Sequence, residues 1–197
     1  MALSATTLAG LINSNLSAAG AVGSKLTVFC DAVAAGIVQS IVGKSFTTSD
    51  YGTVPGAATG VGTGITGLSS SAMKSAALGY MSSTGSKASP LMQSIMDATV
   101  QHLSTAASLN SIHGFVWDGS GTIVIGSIGV SISNMGNNID AALAGQGAMG
   151  SKRLELSMAI ATGVVSNILS SGSGTVTISG FGTDGGPAAG SGTGTIT

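Results

Sequence analysis

A chain that writes the same stretch three times must fold each copy in much the same way, and that constrains it more than any composition. Gly23-Ser24-Lys25, Gly85-Ser86-Lys87 and Gly150-Ser151-Lys152 stand 62 and then 65 residues apart, each leading into a long apolar stretch. Under those offsets, without gaps, Val33, Ile95 and Ile160 share a column, and so do Phe29, Leu91 and Leu156. Ile41, Leu103 and Ile168 make a third column, Val38, Val100 and Val165 a fourth, and Leu16, Leu78 and Leu143 a fifth upstream. Self-similarity at a fixed period marks units that bury their apolar faces against their neighbours. The expected class is α+β, built as three tandem repeats. Each repeat is a two-helix hairpin followed by short β-strands and a Gly-Thr-rich connection. The expected boundaries are 1–66, 67–129 and 130–182, with a Gly-rich C-terminal arm at 183–197.

The first copy illustrates the reading. Ser4, Thr6 and Thr7 offer hydroxyls for an N-cap, and Leu8, Leu11, Ile12 and Leu16 recur at helical spacing. Gly20 and Gly23 break that helix, and Ser24 is placed to cap the next one. There Phe29, Val33, Ile37 and Ile41 recur every fourth residue, a core-facing stripe. Gly36 inside it weakens a helix by about 1 kcal/mol relative to Ala. Ala98 and Gly163 share its column, so a close helix crossing is expected there. In the third copy the first helix is expected around Asn138 to Ala144 and the second from Lys152 to Ser170.

The β segments are read from weaker signals. Residues 45–55 read as a loop or a short strand. Ser111 to Trp117 and Gly121 to Ile128 are β-type runs joined through Asp118-Gly119, a favoured hairpin dipeptide. Thr175 to Ile178 follows as a strand, and 182–190 reads as a flexible linker. The last segment, 190–197, is either a strand offered to a neighbouring chain's sheet edge or a frayed end.

Charge limits the function classes. Only 7% of residues are charged, against about 25% in ordinary domains. A formal net charge of −1 gives no electrostatic footprint for nucleic acid or anionic lipid. The surface is therefore expected to be hydroxyl- and glycine-rich or covered by partners, with no nucleic acid and no membrane among them. The N-terminus lacks the basic region of a secretory signal. The longest apolar run, Leu26 to Val42, is interrupted by Asp31 and Gln39, which argues against a membrane span.

Chemistry is sparse. Cys30, the single cysteine, falls on an apolar helix face and reads as a small buried hydrophobe. Residues 145–152 imitate a phosphate loop, but that loop needs Lys before Ser/Thr and a strand leading in; here the order is reversed and a helix precedes. One cysteine and two histidines assemble no zinc set. His102 is expected on the solvated side of its helix, and His113 in a strand. No enzyme and no cofactor is therefore expected. The candidate interface residues are Trp117 and Asp118 at the hairpin tip, since an exposed Trp is a common anchor, and Thr193, Thr195 and Ile196 in the terminal strand.

The three Gly-Ser-Lys turns, the Gly-Thr-Gly runs at Gly62 and Gly192 and the near absence of charge resemble small structural proteins of tailed-bacteriophage virions. The resemblance spans the whole chain and is one of style. It implies a non-enzymatic virion building block, assembled in the host cytoplasm as a homo-oligomer and with other virion proteins, in the neck, tail or baseplate region. A capsid decoration or receptor-binding appendage is the alternative, for which an exposed patch near Trp117 is expected. A small serine hydrolase using His113 is a third reading, which replacement of His113 by Ala would separate.

Overall fold

The computed structural model describes residues 3–54, 58–81, 86–105, 108–113, 119–125, 131–179 and 186–197. Along them run α1 (Ala5–Ala18), α2 (Leu26–Ile41), β1 (Ser45–Val54), β2 (Ala58–Thr63), α3 (Ser70–Gly79) and α4 (Ala88–Thr105). Then come β3 (Ser108–His113), β4 (Gly119–Ile125), α5 (Ile132–Gly145), α6 (Arg153–Ser171), β5 (Ser173–Ser179) and β6 (Gly186–Ile196).

The same local chemistry starts α1, α3 and α5. Ser4, Ser69 and Ser131 lie in extended backbone. Their hydroxyls accept the N–H groups of Thr7, Ala72 and Asn134, each at 3.3 Å. The cap at Ser131 starts α5 six residues before Asn138, earlier than apolar spacing indicates. Gly20 (φ 85°) and Gly147 (φ 75°) end the turns after α1 and α5 in a left-handed conformation that side chains resist. Ser24 and Ser151 do not cap α2 and α6. The N-cap positions are Lys25 and Lys152, without a side-chain cap, and Leu26 and Arg153 donate their N–H groups back to the Gly23 and Gly150 carbonyls.

The helices close into one ring: α1 packs on α2 and α6, α3 on α2 and α4, and α5 on α4 and α6. Inside it Leu8, Ile12, Val33, Ile37, Met73, Met92, Ile95, Met135, Ile139, Ile160 and Val164 form a single apolar cluster. The close crossings are real. A Cβ on Gly36 would lie 2.6 Å from the Met73 carbonyl oxygen and 2.9 Å from Ala77 Cβ, and one on Gly163 would lie 2.7 Å from Ile12 Cγ1. Gly36→Ala therefore gains about 1 kcal/mol of helix propensity but overpacks against backbone, which costs about 1–3 kcal/mol. A net loss of up to about 2 kcal/mol is expected in a urea titration; a gain would contradict the crossing.

The strands form a closed antiparallel barrel in the order β1-β2-β3-β4-β5-β6. β6 pairs with β1 from Ser45↔Thr195 to Val54↔Gly186, and with β5 from Gly174↔Ile196 to Ser179↔Ser191. This corrects the expected fold class. The protein is α-rich, with six helices in one ring among the described residues, and no two-helix hairpin with its own short strands stands as a unit. Every strand pairs on both sides, including β2 with β3 and β4 with β5 across the intervening helices. The Gly-Thr-rich segments are strands rather than connections, and residues 45–54, which read as a loop or a short strand, form a ten-residue strand. The segment read as a donor or a frayed end is β6, held on both edges by its own chain.

The glycines follow from barrel size. Eight strands leave an interior just wide enough for side chains, so six leave less. Phe46, Thr48, Gly60, Gly62, Gly192 and Ile196 are buried, while Ser45, Thr47, Ser49, Tyr51, Ser191, Thr193 and Thr195 face solvent. A Cβ on Gly62 would collide with the Thr47 carbonyl oxygen. Strand and helix ends meet at one junction. Gly43 N–H donates to the Ile196 carbonyl (2.8 Å), Ile196 N–H to Lys44 (3.0 Å), Ile65 N–H to Leu103 (3.1 Å), Thr66 N–H to Ser45 (2.9 Å) and Thr197 N–H to Ser173 (2.8 Å). The barrel leaves this junction on one side, and the C-terminal ends of α1, α3 and α5 lie with the N-terminal ends of α2, α4 and α6 at the other, the turn end of the ring.

Candidate functional site

The residues chosen from sequence do not converge. Trp117 and Asp118 lie outside the described residues. Thr193 and Thr195 point outward from β6, whereas Ile196 is buried at the barrel–helix junction and is a core residue rather than a free contact. The outward hydroxyls stand in register, with Thr47 opposite Thr193 and Ser49 opposite Ser191, giving β1 and β6 an uncharged hydroxylated face.

The reactive side chains are used for packing. Cys30 is buried, and burial, reinforced by Asp31, pushes its thiol up to about 11. Its thiolate is therefore scarce at neutral pH. His102 is 3% exposed, not solvated, and its Nε2 accepts the N–H of Ser131 at 3.2 Å. Asn167, in the same sequence column, is also fully buried, and its amide has no hydrogen-bond partner among the described residues. For His102 this corrects the expected solvated helix side. Ring closure packs α4 and α6 between two neighbours each, which leaves a narrower wet face than an isolated hairpin would.

Burial lowers the His102 pKa from its ordinary value, and an imidazolium could not accept the Ser131 N–H. The folded state then binds fewer protons than the unfolded chain, so the stability held above the unfolded value of about 6.5 is lost as pH falls through and below it. The melting temperature is expected to drop between pH 7.5 and 5.5, with a smaller drop in His102→Gln. An equal drop in both would contradict the assignment.

Among the described residues no group of three or more His, Cys, Asp or Glu could hold a metal ion. One described helix, α6, is long and apolar enough to cross a membrane; half of it is buried, against α1 and α5.

Three grooves lie toward the turn end of the ring. One groove of about 340 Å³ is lined by Lys87, Pro90, Leu91, Leu143 and Ala148. A second, about 300 Å³, shares Leu91, Leu143 and Ala148 with it and continues to Met149, Lys152 and Leu156. A third, about 120 Å³, takes over at Lys152 and Leu156 and reaches Leu16 and Ala21. Val22 and Met149, 92% and 95% exposed, stand at two of the turn tips. Arg153 is held by Asp140 through Nε–Oδ1 (2.7 Å) and Nη2–Oδ2 (3.1 Å) and donates Nη1–H to the Ala148 carbonyl (3.0 Å), which fixes the α5–α6 turn. That pairing draws the Asp140 carboxyl below its usual range. Sequence reading takes these turns as structure alone, although an exposed Val or Met beside Gly-Ser-Lys is a visible signal. No protein-family model, curated protein or solved structure matches the chain.

Proposed function

We propose that the chain is a non-enzymatic structural component of a tailed-bacteriophage virion, placed in the neck, tail or baseplate region and working with like copies and other virion proteins. One observation carries the reading: the exposed surfaces suit contact rather than chemistry. An uncharged hydroxylated barrel wall and an apolar turn end are mounted on a scaffold in which every strand edge is paired. Paired edges leave nothing to template uncontrolled sheet growth. Low charge and small side chains let surfaces approach closely at little desolvation cost. Partners therefore meet side-chain faces of the barrel and ring, not a donated strand.

Mass spectrometry of density-purified particles made by the genome that encodes this chain tests the proposal. The chain is expected at fixed stoichiometry, with antibody label at the neck, tail or baseplate. Label over the capsid shell would favour the decoration reading. Absence from particles would remove the virion role.

A further inference from the structure

We infer that the turn end of the helix ring is a docking face for the end of a threefold-symmetric protein assembly that presents apolar side chains flanked by carboxylates, one copy of this chain per trimer. At the turn end the helix termini pair as α1 with α2, α3 with α4 and α5 with α6, at alternate gaps of the ring. Each turn carries one exposed lysine: Lys25, Lys87 and Lys152. These are half of the chain's six basic residues, so a net charge of −1 conceals a cationic end. Lys25 and Lys87 make no ion pair among the described residues, and Lys152 has only an exposed 3.3 Å pair with Glu155. Such a pair contributes little, which leaves the cations available.

Between the lysines runs the apolar arc of the three grooves, continuous from Pro90 through Leu91, Leu143 and Leu156 to Leu16. The recesses are rimmed by Lys87 and Lys152, with Glu155 paired to Lys152 in the third, so the Lys87 side fits an apolar side chain with a carboxylate beside it. A second copy docked turn end to turn end would oppose lysine to lysine, so charge selects an acidic partner over self-pairing. Three lysine-bearing turns around one axis match three subunits of the partner, and a recessed arc accepts side chains better than it meets a flat surface. The inference rests on the structural-component reading, which supplies a multimeric neighbour, but it is decided separately: absence from particles sinks that reading and leaves the binding result standing.

The probe is a parallel trimeric coiled-coil peptide with isoleucine at a and d, each strand ending in Leu-Glu-Glu with a free carboxylate, titrated calorimetrically into the full chain. The expected result is one protein per three strands, with affinity at least tenfold above that of the same trimer ending in Leu-Lys-Lys amide. The triple substitution Lys25→Gln, Lys87→Gln, Lys152→Gln is expected to weaken binding at least tenfold while leaving the melting temperature unchanged. Equal binding of the two trimers would overturn the inference. So would one protein per strand, no binding at millimolar peptide, or equally tight capture by phosphatidylglycerol vesicles.

Discussion

Deleting residues 186–197 is expected to abolish the cooperative fold or drive the chain into oligomers, because β6 is the strand that closes the barrel. It makes ten register pairs with β1 and six with β5, and it brings Ile196 into the junction with the helices. A ladder hydrogen bond contributes about 0.5–1.5 kcal/mol net and a buried Ile about 1.5–3 kcal/mol. Their sum is of the order of a whole domain's stability, about 5–15 kcal/mol. Truncation also frees the edges of β1 and β5, and free edges recruit other chains. Thermal melts by circular dichroism with light scattering should show a lost or strongly lowered transition and raised mass. A truncated chain that melts like the full one would mean that β6 is an appendage.

Phe46→Ala is the point substitution with the largest expected effect, about 3–5 kcal/mol of stability. Among the described residues Phe46 is the largest fully buried side chain. It sits near the start of β1 opposite Gly194. Phe46 belongs to the single apolar cluster that also holds Ile65 and Ile196, so truncation leaves a cavity in a packed core. Thr47→Ala, one residue away and outward-facing, is the control and should change stability by no more than about 0.5 kcal/mol. Equal costs in a denaturant titration would show that the inward and outward assignment of β1 is wrong.

How much of this was legible depended on which forces left a local pattern. The helices did, because burial recurs with the 3.6-residue period: Val33, Ile95 and Ile160 occupy one sequence column and all three are fully buried. The column of Phe29, Leu91 and Leu156 looked equivalent but is only partly buried, since it lies toward the turn end rather than mid-ring. The barrel left little pattern. Gly60, Gly62 and Gly192 face inward without the large apolar side chains by which strand alternation is recognised, so the segments do not read as strands of one sheet. Closure itself rests on β1 pairing with β6, which lie far apart in sequence, so no local window contains both. The buried side of His102 and Asn167 was hidden for the same reason: only the closed ring buries it. The candidate docking face was legible in part. The three lysines were visible in sequence, but the arc joining Leu91, Leu143 and Leu156 depends on α4, α5 and α6 meeting in space.

The most direct measurement of closure within one chain is isotope-filtered NOE spectroscopy on co-refolded mixtures of carbon-13-labelled and unlabelled protein. Thr193 should show cross-strand contacts to Thr47 and to Thr177. If the barrel closes as described, those contacts arise within one chain and are absent from the labelled-to-unlabelled spectrum. Their appearance between labelled and unlabelled chains would show β6 donated to a neighbour and would contradict a barrel closed by a single chain.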